Sequence, residues 1–136
     1  MRIPTLFTAL MSVAAFAAPA LADGSGPVKP HLVLQQLVEG LPTDAKSEVR
    51  VFTATFKPGD KTPYHTHGFP VTVYVLEGAF TLELKDQAPI VVKVGEAFVE
   101  PPNTAMTGFN KSATELTKVV VFYVSAPGKP FLDPLK

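Results

Sequence analysis

The stretch Pro58-Gly59-Asp60-Lys61-Thr62-Pro63-Tyr64-His65-Thr66-His67-Gly68-Phe69-Pro70-Val71, running into Val73-Tyr74-Val75-Leu76-Glu77-Gly78, holds the densest chemistry of this 136-residue chain. In a β-strand, residues i and i+2 point to the same face. His65 and His67 therefore project together, a workable spacing for two imidazoles on one metal ion. Two of the chain's three His fall in this H-x-H. The same pair also fits two polar residues on the open face of a strand, and both readings stand at this point.

Outward from the pair, short apolar runs are separated by Pro and Gly. Strands are expected at 31–38, 49–56, 71–76, 79–84, 90–94, 97–100, 105–109 and 116–125. They are rich in Val, Phe, Thr and Tyr, which suit a pleated, half-buried surface. Phe80-Thr81-Leu82-Glu83-Leu84 alternates cleanly, placing Phe80, Leu82 and Leu84 on one face. Glu77-Gly78 reads as a hairpin, and Asp86-Gln87-Ala88-Pro89 as a second turn. Only 31–39 allows a short helix instead. The fold class is therefore all-β, a closed barrel or sandwich. Val119-Val120-Val121-Phe122-Tyr123-Val124 is apolar on both faces. That pattern fits either a strand buried on both sides or one whose outer face meets a second copy of the chain.

Composition removes several functions. Twelve basic and 12 acidic side chains balance, so the clustered positive charge that nucleic-acid binding needs is missing. Cys is absent, which excludes disulfides, Cys-ligated zinc or iron–sulfur sites, a Cys nucleophile and a Cys-linked lipid anchor. There is no G-x-S-x-G, phosphate loop or dinucleotide fingerprint.

The N-terminus is read as a targeting segment. Arg2 supplies a short positive region, Leu6 to Ala18 is an uncharged, largely apolar run, and Ala20-Leu21-Ala22 has the small-x-small form of a cleavage site. The run is short for a membrane span. Residues 1–22 are expected to be a signal peptide, 23–30 a flexible lead-in, and 31–136 one β-barrel domain. Its C-terminal strap, Pro127-Gly128-Lys129-Pro130-Phe131-Leu132-Asp133-Pro134, is anchored by Phe131 and Leu132. The mature protein is expected to be exported, periplasmic or secreted, with no membrane attachment after the signal is removed.

The His-pair stretch resembles the first motif of the cupin superfamily: Gly, five residues, H-x-H, three or four residues, Glu, six residues, Gly. Gly59, His65, His67, Val71 and Gly78 stand at those positions. The second cupin motif is Gly, five residues, Pro, x, Gly, two residues, His, three residues, Asn. Gly95, Pro101, Asn103, Met106 and Asn110 match its spacing. The resemblance implies a small single-domain cupin barrel, a double-stranded β-helix or jelly roll, with His65 and His67 as metal ligands. Two ligand positions depart from the motif: Val71 stands where Glu is usual and Met106 where His is usual. Asn103 replaces a Gly but tolerates a left-handed backbone better than most residues.

These departures change the metal chemistry. The usual three imidazoles and one carboxylate suit Fe, Mn, Ni or Zn, whereas two imidazoles and a thioether favour Cu(I). The expected metal set is thus His65, His67 and Met106, with Cu favoured, Zn, Fe and Mn open, and a metal-free barrel as the alternative in which Met106 fills the core. Glu77 and Glu100 are the nearby acids able to supply a carboxylate, Glu77 being expected at an exposed turn. His31 is expected to face solvent. The functional expectation is an exported binder of a metal ion or small molecule, acting as a homodimer. The alternatives are a metal-dependent oxygenase or isomerase, which the resemblance allows, and a metal-free dimeric barrel with a structural or binding role.

Overall fold

A computed structural model of the chain describes residues 26–136. The expected signal peptide lies outside the described residues. His31–Lys136 forms a compact unit.

Among the described residues, nine strands run in the order β1 (Glu48–Phe56), β2 (His65–Thr66), β3 (Val71–Glu77), β4 (Ala79–Leu84), β5 (Ile90–Lys93), β6 (Ala97–Glu100), β7 (Met106–Phe109), β8 (Thr117–Ser125) and β9 (Asp133–Pro134). They form two antiparallel sheets, β1-β8-β3-β6 and β5-β4-β7-β2-β9. This is the double-stranded β-helix, or jelly-roll, arrangement. The alternation of β3 buries Val71, Val73 and Val75 and turns Thr72 and Tyr74 outward. Val73, Val75 and Val119 from one sheet pack against Phe80, Leu82, Leu84, Val92 and Met106 from the other. The core is therefore the space between the sheets.

Three local expectations need correction. Residues 31–38 form neither strand nor helix but an extended, mostly exposed segment. Their apolar pattern finds no ladder partner among the described residues. Glu77-Gly78 is not a hairpin: β3 and β4 belong to different sheets, and the chain turns a corner there. Gly78 has φ +69°, and a Cβ on it would stand 2.3 Å from the Leu116 carbonyl oxygen, so the corner admits only Gly. Strand β8 is not buried on both sides. Val119 and Tyr123 face the core, while Phe122 is 44% exposed on the outer face.

Other turns form as expected. Asp86-Gln87-Ala88-Pro89 joins the paired strands β4 and β5, with Asp86 at φ 60°. Asn103 sits at φ 56°, the left-handed conformation its motif position requires. Asn110 is buried and clamps the loop before β8, donating to the carbonyls of Phe56 and Glu115 while accepting from Ser112 N–H.

Candidate metal and ligand site

Strand β2 is only two residues long, yet both of its edges are occupied. His65 is in register with Met106 of β7 on one side and with Pro134 of β9 on the other. His65 and His67 are both buried, at 4% and 1% exposure, which overturns the surface reading of the pair.

The orientation of the two rings follows from their outer nitrogens. His65 Nδ1 lies 2.7 Å from the Pro63 carbonyl oxygen. His67 Nδ1 lies 2.5 Å from the Phe131 carbonyl oxygen. A carbonyl can only accept, so each Nδ1 carries the hydrogen. In the neutral rings both Nε2 atoms are then bare lone pairs, and they stand 3.0 Å apart. Two acceptors at that separation repel unless something positive lies with them.

A carboxylate stands beside the pair on a neighbouring strand. Val71 of β3 is in register with Glu100 of β6, and directly opposite residues of an antiparallel pair project to the same face. Glu100 is 6% exposed, and its Oε2 stands 3.2 Å from His67 Nε2. A buried carboxylate is costly unless paired. Two imidazole nitrogens and one carboxylate oxygen thus converge with no intervening donor apart from whatever proton they share. Burial pushes the His65 pKa below its ordinary value of 6.5, and the neighbouring His67 acts in the same direction; the Pro63 hydrogen bond and Glu100 oppose this. His65 therefore resists supplying the positive charge by protonation.

Two of the three donor separations suit a metal ion. Metal–nitrogen and metal–oxygen bonds of about 2.0–2.2 Å place neighbouring donors about 2.8–3.1 Å apart in octahedral and about 3.3–3.6 Å apart in tetrahedral coordination. The 3.0 Å contact lies in the octahedral span and the 3.2 Å contact between the two. Hydrogen bonds from the outer nitrogens of metal-bound His to carbonyls are the usual means of fixing tautomer and ring direction. Among the described residues, no group of three or more His, Cys, Asp or Glu side chains stands in an arrangement able to hold a metal ion. His67 Nε2 instead stands between the other two donors, 3.0 Å from His65 Nε2 and 3.2 Å from Glu100 Oε2.

Met106 is fully buried beside His65, within the apolar cluster of Leu82, Leu84 and Val92. The cavity under the two His is lined by Glu100 rather than by Met106. Glu77 lies beyond a bulge in β3 and is exposed. His31 is exposed, and Tyr64 is 43% exposed. No sequence pattern pointed to the Phe131 carbonyl, which reaches His67 from 64 positions away.

The strap supplies that carbonyl and closes the site. Phe131 packs against His67, Phe52 and Tyr123, with ring centroids 4.8, 4.7 and 5.4 Å away. Tyr123 Oη donates to the Pro130 carbonyl, Arg50 donates to the Lys129 carbonyl, and Leu135 N–H donates to the Tyr64 carbonyl. Below the strap lies a cavity of about 100 Å³ lined by His65, His67 and Glu100, by Thr62, and otherwise by apolar residues. A larger open depression beside Lys93, Lys111 and Glu115 contains none of His65, His67 and Glu100.

A double-stranded β-helix with an inward His pair is the architecture of a cupin. A family profile for the cupin domain matches residues 52–122, just over half of the chain, and the chain belongs to that family. Solved structures agree on the fold. A cupin-like protein from Thermotoga maritima is 20% identical, with 64% of each chain covered and a TM-score of 0.56. The polyketide cyclase RemF from Streptomyces resistomycificus is 26% identical over 68% of this chain and 64% of its own, with a TM-score of 0.54. A protein with a double-stranded β-helix domain from Klebsiella pneumoniae is 17% identical over 70% of this chain and 89% of its own, with a TM-score of 0.54. The chain spans just under two thirds of the length of the first two. No curated protein matches the sequence.

Proposed function

We propose that this cupin binds a single metal ion through His65, His67 and Glu100, and holds a small ligand against it. The observation that carries this reading is the facing pair of Nε2 lone pairs, 3.0 Å apart, with a buried carboxylate at 3.2 Å. Glu100 revises the expected metal. A carboxylate hardens the donor set, moving its preference from Cu(I) toward Zn, Fe or Mn. Met106 remains close enough in register to be tested as a donor. Bound, the ion would act as a Lewis acid toward a ligand oxygen. The chain's own residues would hold the ring tautomers, through Pro63 and Phe131, and exclude water, through the strap.

The test is elemental analysis of the protein purified without added metal, beside a His65→Ala/His67→Ala variant. One metal ion per chain, lost in the variant, is expected. Metal-free protein that takes up none of Zn, Fe, Mn or Cu on titration overturns the proposal in favour of an imidazolium–carboxylate pair between His67 and Glu100.

One observation favours a second reading, a metal-dependent enzyme. Two His and a carboxylate form the donor set of oxygen-activating non-haem iron sites, and Glu100 completes it here. The likeness to a polyketide cyclase lies on the same side. Dioxygen uptake or substrate loss that disappears with the His pair is the expected sign of turnover. We also propose export after cleavage at Ala22, on the strength of the N-terminal pattern, and a homodimer formed through the outer face of β1, β8 and β3. Mass spectrometry of the mature protein, beginning at Asp23, checks the first.

A further inference from the structure

Resting on the metal-site reading, we infer that the ligand has one oxygen-bearing head and an uncharged, apolar body of about three to five non-hydrogen atoms, as in a short or branched monocarboxylate. The cavity measures about 100 Å³, whereas an engineered apolar cavity of about 150 Å³ holds benzene. The head must meet the three clustered polar residues, because the remaining lining is apolar apart from Thr62. Thr62 Oγ accepts from Gly108 N–H and keeps its own hydrogen to donate.

The body must be uncharged. No Lys or Arg lines the cavity, so a second anionic group would be buried without a partner. Dicarboxylates, phosphate esters and nucleotides are excluded on that ground. The body must also be short. At one side Phe80 forms the wall, lying against Gly108, where a Cβ would stand 2.3 Å from Phe80 Cζ. At the other, Phe131 and Leu132 cap the cavity from the strap. Gly108 and Leu132 are therefore the residues that set ligand length: one gives Phe80 its room and the other limits reach toward the mouth.

The test uses the mature protein loaded with cobalt(II), whose visible absorption reports an oxygen head entering the metal's coordination shell. Butyrate and isovalerate are expected to bind about tenfold or more tightly than succinate or octanoate. Leu132→Ala, a strap change, should admit octanoate. Gly108→Ala, which drives the Phe80 ring inward, should weaken isovalerate while leaving formate unchanged. With cobalt bound, succinate or octanoate binding as tightly as butyrate overturns the inference and leaves the metal reading intact. If cobalt is not taken up, the metal reading falls. An alcohol series read by saturation-transfer NMR then still decides the body: a cut-off between butanol and octanol supports it, and its absence overturns it.

Discussion

Two hydrogen bonds decide what the His pair can do. Had either Nδ1 faced a donor, its ring would carry the hydrogen on Nε2, and the two rings would share an ordinary N–H···N bond. Because both Nδ1 atoms face carbonyls, the inner nitrogens are left as acceptors, with the buried Glu100 carboxylate beside His67 as a third acceptor. The balance between binding and stability then gives a sharp expectation for Glu100→Gln. Removing the carboxylate takes a ligand from the ion, so affinity for zinc should fall by more than about tenfold. The metal-free fold should change by no more than about 1 kcal/mol, because the Gln amide N–H can donate to His67 Nε2 where an ionised carboxylate can only accept. Zinc titration calorimetry and urea unfolding of the metal-free protein check the two halves. Met106→Leu is the complementary change. It conserves volume in the core and should cost less than about 1.5 kcal/mol, with zinc and copper(I) affinity unchanged. A large loss of copper(I) affinity would instead make the thioether a donor. His65 and His67 were legible from spacing and motif. The pairing of Glu100 with Val71 was not, because it depends on β6 lying beside β3, a contact that no local pattern encodes.

Between the elements, corners and straps matter more than strand propensity. The apolar runs identify the long strands β1, β3, β4 and β8 within a residue or two, since their alternation reflects burial against one core. The two-residue strands β2 and β9 escape such reading. Two residues have no periodicity, and β9 contains Pro134, which cannot donate to a ladder. The role of Gly78 escapes it for another reason: a tight corner between sheets uses the same residue types as a hairpin. The physical difference is measurable. Gly78→Ala combines a left-handed backbone with a Cβ 2.3 Å from a carbonyl oxygen and should cost about 3 kcal/mol or more. Gly95→Ala has φ +81° but nothing within 4 Å, so only backbone strain remains, about 1–2 kcal/mol. Chemical denaturation of the pair gives the ranking. Equal losses would mean that the corner relaxes and that the close approach does not define it.

For the molecule as a whole, the sheet formed by β1, β8, β3 and β6 presents a face that one copy of the chain does not cover. Val49 and Val51 are 65% and 57% exposed there. Their cross-strand partners are Val124 and Phe122, and Phe122 is in turn opposite Thr72. The outward charges of β1, β8 and β3 are Lys118 and Glu77, paired at one end. A patch of β-branched and aromatic side chains without central charge costs free energy in water. An identical patch from a second copy covers it without like-charge repulsion, as a two-fold interface requires. Sequence reasoning could identify the doubly apolar β8 but could not choose between an internal layer and a second subunit. Among the described residues, no internal layer covers Val49, Val51 and Phe122, which supports the proposed homodimer. Equilibrium sedimentation is expected to give twice the chain mass for the wild-type protein. Val51→Lys/Phe122→Lys should give the single-chain mass, because it sets positive charges against each other across the two-fold axis. Both residues point away from the cavity, so metal uptake by the double variant should match wild type. A wild-type protein that sediments as a single chain at micromolar concentration removes the dimer. A charged variant that loses metal along with its partner would instead mean that the second copy helps hold the barrel in its binding form.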